Sequence, residues 1–125
     1  MKNLKNIALI IFIIAGIFIS SCKKEGEGGH SSVSGNVKHH SKLIPNAIVY
    51  IKYGATEFPG PDINLYDAHV TSDTNAHYEI KDLRKGDYYL YGVGTDISGP
   101  FTVSGGIGIR LKYNKSSVND VPVTE

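Results

Sequence analysis

Beyond its first thirty residues the chain never sustains one hydrophobic pattern for long. Short runs rich in valine, isoleucine and tyrosine, at 33–38, 47–53, 66–72, 77–80, 88–93, 101–103, 107–113 and 118–123, are each cut off by glycine, proline, asparagine or aspartate. None of them carries the 3.6-residue apolar period of a helix. Several alternate apolar and polar residues, as a strand with one face on a core must. The run 47–53, Ala47-Ile48-Val49-Tyr50-Ile51-Lys52-Tyr53, is apolar on both faces for most of its length, which suits a strand inside a sheet. Seven or eight such strands separated by turn signals predict an all-β, antiparallel sandwich. Glycine (14 residues) and tyrosine (8) are abundant, which fits many turns and aromatic-rich sheets.

The N-terminus follows different rules. Lys2 and Lys5 precede an uncharged apolar stretch from Ile7 to Ile19, and Ser20-Ser21-Cys22 follows it. This is the layout of a secretory signal, and the stretch is short of the ~20 residues that span a bilayer. Ile19-Ser20-Ser21-Cys22 resembles the bacterial lipobox, which implies cleavage after residue 21 and lipid attachment through the Cys22 thiol. Cys22 is the chain's one cysteine, so an intramolecular disulfide is excluded. Residues 1–21 are thus expected to be a signal peptide, 22–31 a lipidated cysteine with a flexible tether, and 32–125 the folded domain. Glu25 and Glu27 in the tether resemble the acidic surface-export signal of Bacteroidetes lipoproteins. The implied address is the cell envelope, anchored by lipid in the outer membrane and facing the cell surface or the periplasm.

Cleavage after residue 21 leaves 104 residues, enough for one core without metals or disulfides. All 12 acidic residues and 11 of the 13 basic ones stay in that part, giving a formal charge of −1. A balance so near neutrality provides no electrostatic footprint for nucleic acid.

Three further stretches share one pattern. Val33-x-Gly35-x-Val37, Pro45-Asn46-Ala47-x-Val49-Tyr50-Ile51, and Thr71-x-Asp73 followed by Tyr78-x-Ile80-x-x-Leu83-x-x-Gly86-x-Tyr88 resemble the carboxypeptidase regulatory-like domain. The resemblance covers residues 33 to about 95 and implies a transthyretin-like sandwich of accessory type, without chemistry of its own. Asp73 is expected to cap a turn through its carboxylate; Asn75-Ala76 replace the glycine of the family's Asp-x-x-Gly turn, which is therefore expected to be built differently, with Asn75 at positive φ. Gly86 is expected to permit a tight start to the next strand. Tyr88 is expected to form a tyrosine corner, with its ring in the core and its hydroxyl on upstream backbone.

Chemistry-bearing candidates are few. His30, His39, His40, His69 and His77 have no cysteine or dense carboxylate cluster beside them, so they read as exposed strand and turn residues and not as metal ligands. His39 and His40, adjacent in an extended segment, are expected to face opposite ways. No nucleophile elbow and no paired carboxylates are present, so neither an enzyme nor a cofactor is expected. The long stretch 54–65 is different, because loops of about a dozen residues in compact domains are often functional. Pro59, Gly60, Pro61 and Asp62 at its centre, with Tyr66 and His69 beyond it, form the candidate binding surface. The expected partner is another envelope protein or an extracellular ligand; a small molecule, glycan or ion held by the same loop is the alternative.

Overall fold

A computed structural model describes residues 24–125; Cys22, the expected anchor, lies outside the described residues. The architecture is an all-β sandwich of nine strands, with no α-helix among the described residues. In chain order these are β1 (Glu27–His39), β2 (Lys42–Leu43), β3 (Ile48–Tyr53), β4 (Ala68–Thr71), β5 (His77–Leu83), β6 (Gly86–Asp96), β7 (Phe101–Leu111), β8 (Ser116–Val118) and β9 (Val121–Val123). One sheet has the order β4-β3-β6-β7 and is antiparallel throughout. The other is built around β1, which pairs antiparallel with β2 and β5 and parallel with β8 and β9.

Alternation explains why the sheets stack. Along β1, residues 31, 33, 35, 37 and 39 are buried while 32, 34, 36 and 38 are only partly so. Val33 and Val37 meet Val49 and Ile51 of β3, Tyr88 and Leu90 of β6, Val103 of β7 and Val121 and Val123 of β9 in one core. Burying each such side chain stabilises the fold by roughly 1.5–3 kcal/mol.

The glycine-rich segment expected to be a tether is largely part of the sheet. Residues 27–31 are the first of β1, with Glu27 and Ser31 both in register with Leu83 across a bulge. Backbone pairing needs no apolar side chain, and here it needs glycine: a Cβ on Gly29 would lie 2.1 Å from the Leu83 carbonyl oxygen. Gly26 is buried as well, its N–H donating to the Tyr88 hydroxyl at 2.8 Å.

Glycine also misleads near the C-terminus. The runs 101–103 and 107–113 are one continuous strand, β7, because its glycines are sites of close backbone approach and not breaks. A Cβ at Gly105 would lie 2.5 Å from the Pro122 carbonyl oxygen, and one at Gly108 2.1 Å from that of Thr56. Conversely, the single strand expected at 118–123 is two, β8 and β9, parted at Asn119-Asp120. There Asp120 Oδ1 accepts from Asn36 N at 3.0 Å, and the Asn119 carbonyl accepts from the Tyr78 hydroxyl at 2.5 Å.

Candidate functional site

The sequence Tyr88-Tyr89-Leu90-Tyr91 forces a choice, since neighbouring side chains of a strand point to opposite faces. Tyr88 and Leu90 enter the core; Tyr89 and Tyr91 project from the outer face of the sheet, in register with Lys52 and Tyr50 of β3. Two tyrosines side by side on an outer face leave a large apolar area to water. The segment 54–67 covers it. Phe58 places its ring 5.9 Å from Tyr89 and 5.3 Å from Tyr91, and Tyr66 stacks on Tyr91 at 5.5 Å with an interplanar angle of 11°. Tyr89 and Tyr91 are left only 8% and 6% exposed.

Polar bonds hold this cover in place. Gly54 N donates to the Asp87 carbonyl at 2.8 Å, and the Tyr66 hydroxyl to the Gly60 carbonyl at 2.8 Å. Asp62 caps a single 3-10 turn, Ile63–Leu65, by accepting from Asn64 N at 2.9 Å. Burial, with Tyr91 and Tyr89 nearby, pushes the Tyr66 hydroxyl up to about 12, so it stays a neutral donor.

A cleft of about 260 Å3 opens between the 3-10 turn and strands β3 and β4, lined by Tyr50, Ile63, Asn64, Tyr66, Asp67 and His69 among others. The Tyr50 ring lies 5.7 Å from Tyr66 and 5.6 Å from His69. Asp67 accepts from Tyr53 N at 2.7 Å and sits 3.7 Å from Lys52 Nζ, so its charge is already partnered. The cover leaves Phe58, Ile63 and Leu65 to solvent, at 52%, 51% and 42% exposure. Such a surface is suited to apolar contact.

Of the candidate binding residues, Tyr66 and His69 come together at the cleft, with Tyr50 between them. Gly60 and Asp62 serve the loop itself, as hydrogen-bond acceptor and cap. Pro59 is partly exposed and Pro61 exposed, away from the cleft lining. Phe58 was not singled out by the sequence, although one aromatic residue in a Gly/Pro-rich loop beside a tyrosine-rich strand is a usable signal.

The turn and corner residues have defined roles. Asp73 Oδ1 accepts from Asn75 N and His77 N at 2.8 and 2.9 Å, which lowers its pKa. The positive φ falls at Ala76 (62°) and not at Asn75, whose N–H is committed to Asp73 and whose carbonyl is committed to Asn36 Nδ2. Gly86 has φ of 140°, and a Cβ there would meet the Glu25 side chain at 2.4 Å. The Tyr88 ring is in the core, and its hydroxyl donates to the Arg84 carbonyl at 2.6 Å while accepting from Gly26 N.

His39 departs from the expected exposed histidine. It is buried, and its Nδ1 lies 2.9 Å from Asp96 Oδ2. Asp96 Oδ1 accepts from Ser98 N and Ser98 Oγ at 3.0 and 2.6 Å and lies 3.4 Å from Lys42 Nζ. These donors, led by His39, hold the Asp96 carboxyl far below its ordinary value. His40 does not face away: its φ is 57°, which takes it out of extended geometry and sets its ring 4.7 Å from His39. Nothing in the sequence joins residues 57 apart. His69 and His77 stand on strands of different sheets, and among the described residues no three His, Cys, Asp or Glu groups are placed to hold a metal ion.

No protein-family model matches this chain, and no curated protein matches its sequence.

Proposed function

We propose that this chain is a non-catalytic binding module of the bacterial envelope, lipid-anchored through Cys22 in the outer membrane, that presents its aromatic loop face to another envelope protein. One observation carries the reading: the loop that buries Tyr89 and Tyr91 itself exposes Phe58, Ile63 and Leu65. Exposed apolar side chains gathered on one loop offer a surface for partner contact, and aromatic anchors in such surfaces dominate binding energy. The resemblance to carboxypeptidase regulatory-like domains supports an accessory role, although a fold alone fixes no function. A second reading, a small ring-shaped ligand such as a sugar, rests on the cleft between Tyr50, Tyr66 and His69.

Crosslinking in native membranes followed by mass spectrometry tests the first reading. The wild-type chain is expected to capture one envelope protein, and Ile63→Ser with Leu65→Ser, whose side chains lie on the solvent side of the cover, to lose it while melting normally. Capture unchanged in the double variant would overturn the loop face as the contact. Cys22→Ser is expected to release the chain from the membrane fraction, and full retention would refute the anchor.

A further inference from the structure

The two sheets are joined along one side and open along the other. On the joined side, Ser104 of β7 and Thr124, next to β9, exchange both backbone hydrogen bonds at 2.8 Å, carrying one sheet into the other. On the opposite side β4 pairs only with β3, and β5 only with β1, among the described residues. Each presents an edge with no strand hydrogen-bonded to it among the described residues.

The hydrogen-bond pattern says which backbone groups line that opening. Ser72 N donates to the Ala47 carbonyl, and an antiparallel ladder alternates, so Val70 and Ala68 turn their backbone groups to β3 while His69 and Thr71 turn theirs outward. Likewise Val37 N donates to the Ala76 carbonyl, which directs Tyr78 and Ile80 to β1 and leaves Glu79 N–H and C=O on the free side. The turn at 72–76 pinches the seam at one end. Towards the other it widens into a groove of about 350 Å3 whose apolar lining includes Ile51, Ala68, Val70, Ile80 and Leu83. These residues belong to the core or pack against it, so the groove is a window onto the sandwich interior.

Its rim is charged unevenly. Glu27, Glu79 and Asp82 face a single lysine, Lys81, which pairs with Glu79 at 3.3 Å. Free strand edges in monomers are commonly blunted by lysine, and here the excess is acidic instead. We propose that the groove accepts an extended segment of a partner chain as an added strand on β5, its apolar side chains filling the groove and its alternate basic ones meeting the carboxylate rim. Strand addition draws its affinity from main-chain hydrogen bonds and its selectivity from pockets for every second side chain. This site is separate from the aromatic loop face. The His69 ring lies against Tyr50 in the cleft, whereas its backbone edges the groove.

The test uses the membrane-anchored full chain and three fluorescent heptapeptides: Lys-Val-Lys-Val-Lys-Val-Lys, its glutamate–valine counterpart, and a block peptide of the same lysine and valine content. The alternating basic peptide is expected to bind about tenfold more tightly than either control, through charge complementarity and alternation together. Binding is expected to slow hydrogen exchange at the Glu79 amide. Glu27→Lys with Glu79→Lys, both on the exposed rim, should keep the melting temperature and weaken that binding by a similar factor; Phe58→Ser should leave it unchanged. Equal binding of the acidic or block peptide, no added protection at Glu79, or a concentration-dependent dimer that protects Glu79 without peptide would each overturn the proposal, the last in favour of self-pairing.

Discussion

The outer faces of the two sheets show opposite solutions to one problem. On the β1 side the outward residues are Ser32, Ser34, Asn36 and Lys38, satisfied by small polar contacts such as Ser32 Oγ to Ser116 Oγ at 3.1 Å and Lys38 to Asp120 at 3.1 Å. Water solvates such a face at little cost, and it needs no cover. On the β6 side the outward residues are Tyr89 and Tyr91, and a long excursion between β3 and β4 is folded down on them. The difference teaches that loop 54–67 is structural before it is functional. Its cover leaves its own apolar side chains outside, and those are what a partner can use.

The sharpest way to break this comparison is Tyr91→Ala. It removes the ring on which Phe58 and Tyr66 rest, and the expected loss is about 3 kcal/mol, as for other buried aromatic truncations. Denaturant unfolding measures it, and proteolysis within 54–67 should accelerate in parallel; unchanged stability would mean that the loop holds itself. Tyr88→Phe, in the core beneath the same strand, is expected to cost about 1 kcal/mol because the Gly26 N–H and Arg84 carbonyl lose their shared partner. Faster hydrogen exchange at residues 26–31 would locate that loss at the start of β1.

Asp96→Asn acts at neutral pH by removing the charge that His39, Ser98 and Lys42 surround, and its signature lies in acid. The folded state lowers the Asp96 pKa through His39 and Ser98, so the carboxylate stabilises the fold above its unfolded value near pH 4 and that contribution is lost as pH falls. Asp73, Asp87 and Asp120, all lowered by hydrogen bonds, act in the same direction. Stability should therefore decline below about pH 4 in the wild type and decline less steeply in the variant. An identical acid limb would remove the buried pair from the account. Smallest is Ser34→Ala on the polar outer face, expected to stay within about 0.5 kcal/mol in thermal unfolding. A larger loss there would show that the polar face is not merely solvated.

Residues whose roles depend on local chemistry were legible. The strong run 47–53 is a strand with neighbours on both sides, β3, and Asp73 in its turn has few alternatives to binding backbone amides. Loop 54–65 announced itself by length, and Tyr66 and His69 beyond it do reach one cleft. Residues whose roles depend on distant backbone were not. Gly29, Gly105 and Gly108 look like flexible punctuation, yet each lies where another segment's carbonyl passes too close for a Cβ. His39 looked exposed because its neighbours are polar, and it is buried because Asp96 arrives from β6 to meet it.

The sequence by itself determined the fold class, the number of strands to within one or two, and the aromatic character of one sheet, because side-chain alternation and turn chemistry act over a few residues. Tertiary structure alone decided which face the long loop covers, where the glycine-rich N-terminal segment pairs, and which side of the sandwich stays open. Those outcomes depend on hydrogen-bond partners and apolar surfaces brought together from tens of residues apart, and nothing in a local pattern encodes that meeting.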